Sequence, residues 1–409
     1  MSDVATALTW LRSPEAIRER CHFLLALAGQ DRLAHFTLHL DRLDSAADYV
    51  ASVIRESYPG LDIPYHARWR HFSAGGIDRW HALRSDLKHL NADEIARIRF
   101  DLCVPSVLLD AGAGPDWSFE EPGTHLSIGR SEGLAVASFH AFAAGAFSSD
   151  PEHPLRTDAE ALRNITHQDI EACFQTSAGN PLVGIEGRAA LMRALGAALN
   201  ARSDLFGTDG RVGRLYDVLK LKALNGALPA RDILAAVIDG FGPIWPSRMT
   251  LGGENLGDVW HHSAIVTDDA TSGLVPFHKL SQWLSYSLVE IFEDAGLRVS
   301  GLDDLTGLPE YRNGGLFLDL GVLELRDAAL AEVPLPVDHE AIVEWRALTL
   351  ALLDLIAEPV RERLGKSAED MPLARVLEGG TWAAGRKIAR EKREGGGPPL
   401  QVLSDGTVF

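Results

Sequence analysis

Cysteine is scarce in this 409-residue chain: Cys21, Cys103 and Cys173 lie far apart and are odd in number. They form no CxxC pair, so neither a disulfide framework nor a zinc site is expected, and core thiols are. There is no HExxH. The adjacent pair His261–His262 would face opposite sides of a strand, so no metal and no other cofactor is expected. Long apolar runs are also missing. No stretch reaches the length of a membrane span, and the first 30 residues lack a signal-peptide pattern; the expectation is a cytoplasmic chain with no membrane partner. Positive charge is short: 39 Lys and Arg stand against 57 Asp and Glu, a formal net charge of −18. Such a field repels nucleic acid.

What is present is the profile of an ordinary globule, 46% apolar and 23% charged, and most of it reads as helix. Ser13-Pro14 opens a helix running to Gly29, Asp44 caps another, and Asn91 with Glu94 makes a capping box. Residues 131–147 form a small-residue helix, and Thr166 with Asp169 caps the next. Further helices are expected at 182–201, 215–224, 229–238 and 338–364, the last holding Pro359, with two short ones starting at Ser367 and Thr381. The aromatic stretch 64–80 reads as a structured loop. Strand candidates are few: 260–266, 316–323 and 400–408. No linker separates halves, so the expectation is one compact unit over 1–409, or two intimate lobes of about 1–200 and 201–409.

The rest is organised around residues 276–322. Leu280, Trp283, Leu284, Ser287, Leu288, Ile291 and Phe292 recur at helical spacing and form one apolar stripe. Pro276 suits a first turn and Gly296 a stop. Lys279, Gln282 and Tyr286 fall on a second stripe, which would hold Lys279 rigidly at a core edge. Glu310, Tyr311 and Arg312 are then expected on a loop leading into Asn313-Gly-Gly. A rigid lysine and a loop carboxylate 31 positions apart can meet if the connection folds back; the bland alternative is a structural salt bridge.

Two glycine-rich segments compete for attention. The first, VLLDAGAG at 107–114, looks like a nucleotide-binding loop but lacks its third glycine. Pro115 and Asp116 follow it, where no ordinary helix can start. A helix ending at Gly112, with Asp110 near a pocket, is the preferred reading. The second, LEGGTW at 377–382, places Thr381 at an expected helix start. Arg386 and Lys387 lie one to two turns later, an arrangement suited to an anion such as phosphate. His278 and His140 read first as satisfied core histidines.

The whole chain resembles the uracil catabolism protein 4 family, of Urc or Urg type, long carried as a domain of unknown function. The resemblance rests on SVLLDAGAGPDW at 106–117, VPFHKLSQWLSYSL at 275–288, LTGLPEYRNGGLFLDLGVL at 305–323, LEGGTWAAGR at 377–386 and SDGTVF at 404–409. It implies a place in a route that opens the uracil ring and releases urea. More distantly, HKLSQ at 278–282, LTGLPEYR at 305–312 and PLVGIEGRAALMRALG at 181–196 are similar to motifs of queuosine-5′-phosphate N-glycosidases. That resemblance implies a mostly α fold like the helix-hairpin-helix DNA glycosylases. It also implies Lys279 and Glu310 as catalytic residues. Two departures are visible: Glu310 stands where those enzymes carry aspartate, and Leu280 replaces an arginine.

The combined expectation is a helix-rich enzyme hydrolysing an N-ribosidic bond in a small phosphorylated ribosyl substrate. Asp110, Trp117, His278, Gln282, Trp283, Tyr311 and Arg312 would contact that substrate. Thr381, Arg386 and Lys387 would hold its phosphate, and a homodimer is open. The alternatives are a transferase using a nucleotide-like cofactor at 107–114 and a non-catalytic pathway scaffold.

Overall fold

The computed structural model describes residues 2–246 and 248–403; the SDGTVF end lies outside the described residues. The described chain is mostly α, and its β structure is confined to six two-stranded pairs. Val259–His261 pairs antiparallel with Leu274–Pro276, so Pro276 ends a strand instead of opening the central helix. Val402–Leu403 runs parallel to Leu335–Pro336. The strand expected at 316–323 is largely helix, Tyr311–Asp319, and the strand itself is Leu323–Leu325, paired with Phe36–Leu38. The expected loop at 64–80 holds the helix Arg68–Phe72 and the start of Arg79–Asp86.

By packing, the chain divides into two units built from interleaved segments. One takes the chain up to His66, then Arg248–Gln282 and Gly301–Leu403; the other takes Ala67–Ser247 and Trp283–Ser300. The first is built on the helix Glu340–Leu364, packed by Pro14–Gly29, Leu43–Ser57 and Tyr311–Asp319. Caps place these helices: Ser13 Oγ accepts from Ala16 N at 3.1 Å, worth about 1 kcal/mol. Glu344, buried on the long helix, accepts the backbone N–H of His35 and Phe36 at 3.1 and 2.9 Å. That anchors the strand Phe36–Leu38 to the helix.

The second unit packs Ala92–Leu108, Arg130–Ala143, Ile185–Ala201 and Ala230–Phe241. Asn91 Oδ1 caps the first of these through Glu94 N at 2.9 Å. The small-residue helix is packed as its composition demands: a Cβ on Gly133 would lie 2.1 Å from the Ile128 carbonyl. Cys103 is buried among these helices, and burial pushes its thiol up to about 12, as a core thiol requires.

Candidate active site

The central helix Lys279–Asp294 begins where its first N–H meets a carboxylate. Asp258 Oδ2 accepts from Lys279 N at 2.9 Å, satisfying an orphan donor and placing negative charge at the positive helix end. Asp258 is itself clamped by Arg346, whose two terminal nitrogens each lie 2.8 Å from its oxygens, and by Trp260 Nε1 at 2.6 Å. Burial alone would raise the Asp258 carboxyl; Arg346 and the hydrogen bonds outweigh it and hold the group well below the usual carboxylate range. The turn into the helix puts His278 at φ 47°, a left-handed conformation that a bulky side chain adopts only under tertiary constraint. Its ring is buried, and Nε2 donates to the Leu11 carbonyl at 2.9 Å. His278 thus behaves as a satisfied core histidine, and burial favours its neutral form. At the far end Gly296, at φ 87°, stops the helix, and Leu297 N reaches back to Phe292 O at 2.9 Å, a Schellman-type closure.

Glu310 is not on a free loop. It is the N-cap of the helix Tyr311–Asp319, and its carboxylate accepts from Arg312 N at 2.8 Å and Asn313 N at 2.5 Å. Burial is the largest influence on this carboxyl and pushes it above the usual carboxylate range. The two N–H groups, Lys279 and His66 pull in the other direction. Lys279 and Glu310 therefore do come within electrostatic reach of each other, although burial outweighs the lysine. Both are half-buried.

The surroundings are polar and incompletely paired. Gln282 Oε1 accepts from Thr306 N at 3.2 Å, and Asn313 Nδ2 donates to the Leu308 carbonyl at 3.0 Å. Gln282 Nε2, Asn313 Oδ1 and Thr381 Oγ1 have no hydrogen-bond partner among the described residues. Each such buried orphan costs about 1–3 kcal/mol. Tyr311 is exposed, and the Arg312 guanidinium lies 4.7 Å from its ring while donating to the Gly396 carbonyl at 2.7 Å.

The helix start expected at Thr381 is absent. Residues 376–382 form a π-helical turn, Val376–Trp382, that runs unbroken into Ala383–Lys392, so no free helix N-terminus exists there. Lys387 Nζ is paired with Glu56 at 2.5 Å. Arg386 lies over the Trp382 ring at 5.4 Å.

Three expected substrate contacts belong to the other unit. Asp110 sits 2.9 Å from Arg68 and accepts from Ser131 Oγ at 2.6 Å. Trp117 is buried and donates to the Phe174 carbonyl at 2.9 Å. Trp283 packs against the Arg68 guanidinium and the His71 ring, 5.6 and 5.8 Å away. The segment expected to end as helix at Gly112 leaves the helix at Leu108. Arg188 ties the following turn through the carbonyls of Ala111 and Gly112. A helix precedes this turn where a nucleotide loop needs a strand.

Sequence reasoning missed three groups. Asp258 and Arg346 carry no local signal, and His66 lay in the stretch read as a loop. Among the described residues no group of three or more His, Cys, Asp or Glu is arranged to hold a metal. Nor, among them, is any helix long and apolar enough to cross a membrane.

The family profile described as "Protein of unknown function (DUF1688)" matches residues 10–409. Uracil catabolism protein 4 of Lachancea kluyveri is 40% identical over 442 aligned positions, covering 99% of this chain and 100% of that protein. Protein urg3 of Schizosaccharomyces pombe is 40% identical over 409 positions, with 98% of each covered. Matches of this extent mean that the chain belongs to the family of uracil catabolism protein 4 and urg3, the family described as DUF1688.

Proposed function

We propose that this chain is an N-glycosidase of uracil catabolism, hydrolysing the N-ribosidic bond of a ureido-ribose 5-phosphate or a related pyrimidine-derived ribotide. The observation that carries the reading is Glu310, a carboxylate fixed by two backbone N–H groups with Lys279 in electrostatic reach. Departure of a nitrogen leaving group builds positive charge on C1′ and the ring oxygen. A positioned carboxylate stabilises that charge or takes the proton of the attacking water. Lys279, its backbone pinned by Asp258, favours the ionised form of Glu310 and orients the sugar or the leaving group. The unpaired amide ends of Gln282 and Asn313 supply one donor and one acceptor for a substrate rich in amide groups. The names of the two relatives and the distant resemblance to queuosine-5′-phosphate N-glycosidases support the same reading; that resemblance is also the ground for a glycosylase-like fold.

The test is direct. Purified chain incubated with ribosylurea 5-phosphate should release free urea; no release at micromolar enzyme over hours overturns the reading.

In this reading phosphate recognition is assigned to Arg386, which lies over the Trp382 ring at the end of the π-helical turn. Arg386→Ala should raise KM for the phosphorylated substrate by roughly tenfold, equivalent to about 1.4 kcal/mol. It should leave the unphosphorylated substrate almost unaffected. Equal losses on both would move the phosphate elsewhere, with Arg312 the next candidate.

A further inference from the structure

Glu310 as the carboxylate leaves one chemical need unmet. A ureido nitrogen is a poor leaving group and must be protonated as the C1′–N bond breaks. A carboxylate that stabilises charge or accepts the proton of water cannot donate that proton in the same step. Lysine ammonium groups titrate near 10.4 and are weak acids at neutral pH, whereas imidazoles titrate near 6.5 and suit proton donation there.

An imidazole is in place. His66 is 5% exposed, and its charge is among those that act on Glu310. Its Nδ1 lies 2.6 Å from Glu378 Oε2. A carboxylate only accepts, so Nδ1 is the nitrogen that donates to Glu378 and fixes the ring orientation. One further contact holds the residue's backbone and one its ring. The His66 backbone N–H donates to the Ala374 carbonyl at 3.0 Å. The ring lies 5.6 Å from that of Trp382, and Arg386 lies over the same tryptophan.

Glu378 is presented by the π-helical turn Val376–Trp382. Such turns are costly and recur at functional sites. This one is locked by two glycines against neighbouring side chains. A Cβ on Gly379 would lie 2.9 Å from Ile63, and one on Gly380 would lie 3.0 Å from Val50. A structural ion pair needs two groups. Here two carboxylates, a lysine and an imidazole are linked, with the carboxylates in different environments, which is how acid and base roles separate.

We propose, resting on the hydrolase reading above, that His66 is the general acid for the leaving nitrogen and that Glu378 is its positioning residue. The C1′–N bond breaks with its electron pair passing to nitrogen, which takes the Nε2 proton of the imidazolium. Water adds its oxygen to C1′ and gives a proton to Glu310. Exchange with solvent returns a proton to His66 and removes one from Glu310. The charged groups around His66 are Glu378 on the π-helical turn, Glu310 at the head of Tyr311–Asp319, Lys279 sharing Glu310, and Arg386 beyond Trp382.

The experiment compares two substrates in wild type, His66→Gln, Glu378→Gln and Glu310→Gln. One is ribosylurea 5-phosphate. The other is 4-nitrophenyl ribofuranoside 5-phosphate, whose leaving group needs no proton. On the ureido substrate His66→Gln should lose about 10²–10⁴ in kcat, the usual contribution of a general acid. On the nitrophenyl substrate it should lose less than about tenfold, whereas Glu310→Gln should lose heavily on both. Glu378→Gln leaves the ring without its carboxylate acceptor, so it should show the same split between substrates, losing about tenfold or more on the ureido substrate and little on the nitrophenyl one. Equal losses on both substrates, in His66→Gln or in Glu378→Gln, would make the pair structural and overturn the proposal. A wild type that cleaves the nitrophenyl but not the ureido substrate also overturns it. Cleavage of neither sinks the hydrolase reading itself. If His66→Gln does not fold, the split between the two substrates in Glu378→Gln and Glu378→Asp decides.

Discussion

Glu310→Gln should lower kcat by about two to four powers of ten, the range seen when one charge-stabilising group is removed from an active site. The substitution keeps the shape and one acceptor oxygen, but it replaces the other oxygen with an NH₂ that faces a backbone N–H. The helix Tyr311–Asp319 therefore loses part of its cap, at about 1 kcal/mol. The fold should survive, because the residues behind it, Leu316 and Phe317, stay buried. Burial holds the wild-type carboxyl above its ordinary value. The acidic limb of kcat/KM should accordingly lie above about pH 4.3, the model value for glutamate, and should vanish in the variant. Stopped or continuous urea assays across pH, with a melting curve as control, check all three points. Near-wild-type turnover would make Glu310 a helix cap and nothing more.

Asp258→Ala carries the largest expected stability cost, about 3–5 kcal/mol, because it strands a buried arginine. Arg346 is 1% exposed, and the substitution removes the carboxylate that both its terminal nitrogens reach. The loss of the cap on Lys279 N adds about 1 kcal/mol. Adding Arg346→Met should recover much of the loss, since removing both partners avoids the uncompensated charge. Guanidinium unfolding of wild type, single and double variants gives the cycle, and a double variant no better than Asp258→Ala would sink this account. The pH dependence has a definite sign. A carboxyl depressed in the folded state contributes stability above its unfolded value of about 3.9 and loses it as pH falls through the lower folded value. The gap between wild type and Asp258→Ala should thus be complete at neutral pH and shrink below about pH 4. The double variant also separates fold from function: it can recover stability while Lys279, its N–H no longer capped, keeps a lowered kcat.

The helices were legible where their signals are local. Ser13, Asn91 and Thr166 with Asp169 cap their helices, because a cap hydrogen bond spans three residues and needs nothing else from the fold; Asp44 does not, since it lies inside Leu43–Ser57. The apolar stripe of the Lys279–Asp294 helix and its stop at Gly296 were legible for the same reason. The expectation that Lys279 and Glu310 could meet drew on the resemblance as well as the residues, and Lys279 is among the charges that act on Glu310. The sequence misled where glycine serves packing. Asn313-Gly-Gly reads as a turn, since each glycine costs a helix about 1 kcal/mol. Yet a Cβ on Gly314 would lie 2.7 Å from the Trp345 ring, so close approach of the long helix requires glycine there and overrides its propensity. The same logic turned Gly379-Gly380 from an expected helix start into the interior of a π-helical turn. Pairings at long range left no trace in the chain. His66 meets Glu378 across 312 positions and Arg346 meets Asp258 across 88. The sequence by itself determined the helical content and the local caps at Ser13, Asn91 and Thr166. Only tertiary structure decided which buried charges answer one another, because that choice depends on burial and distance, and neither is a property of neighbours along the chain.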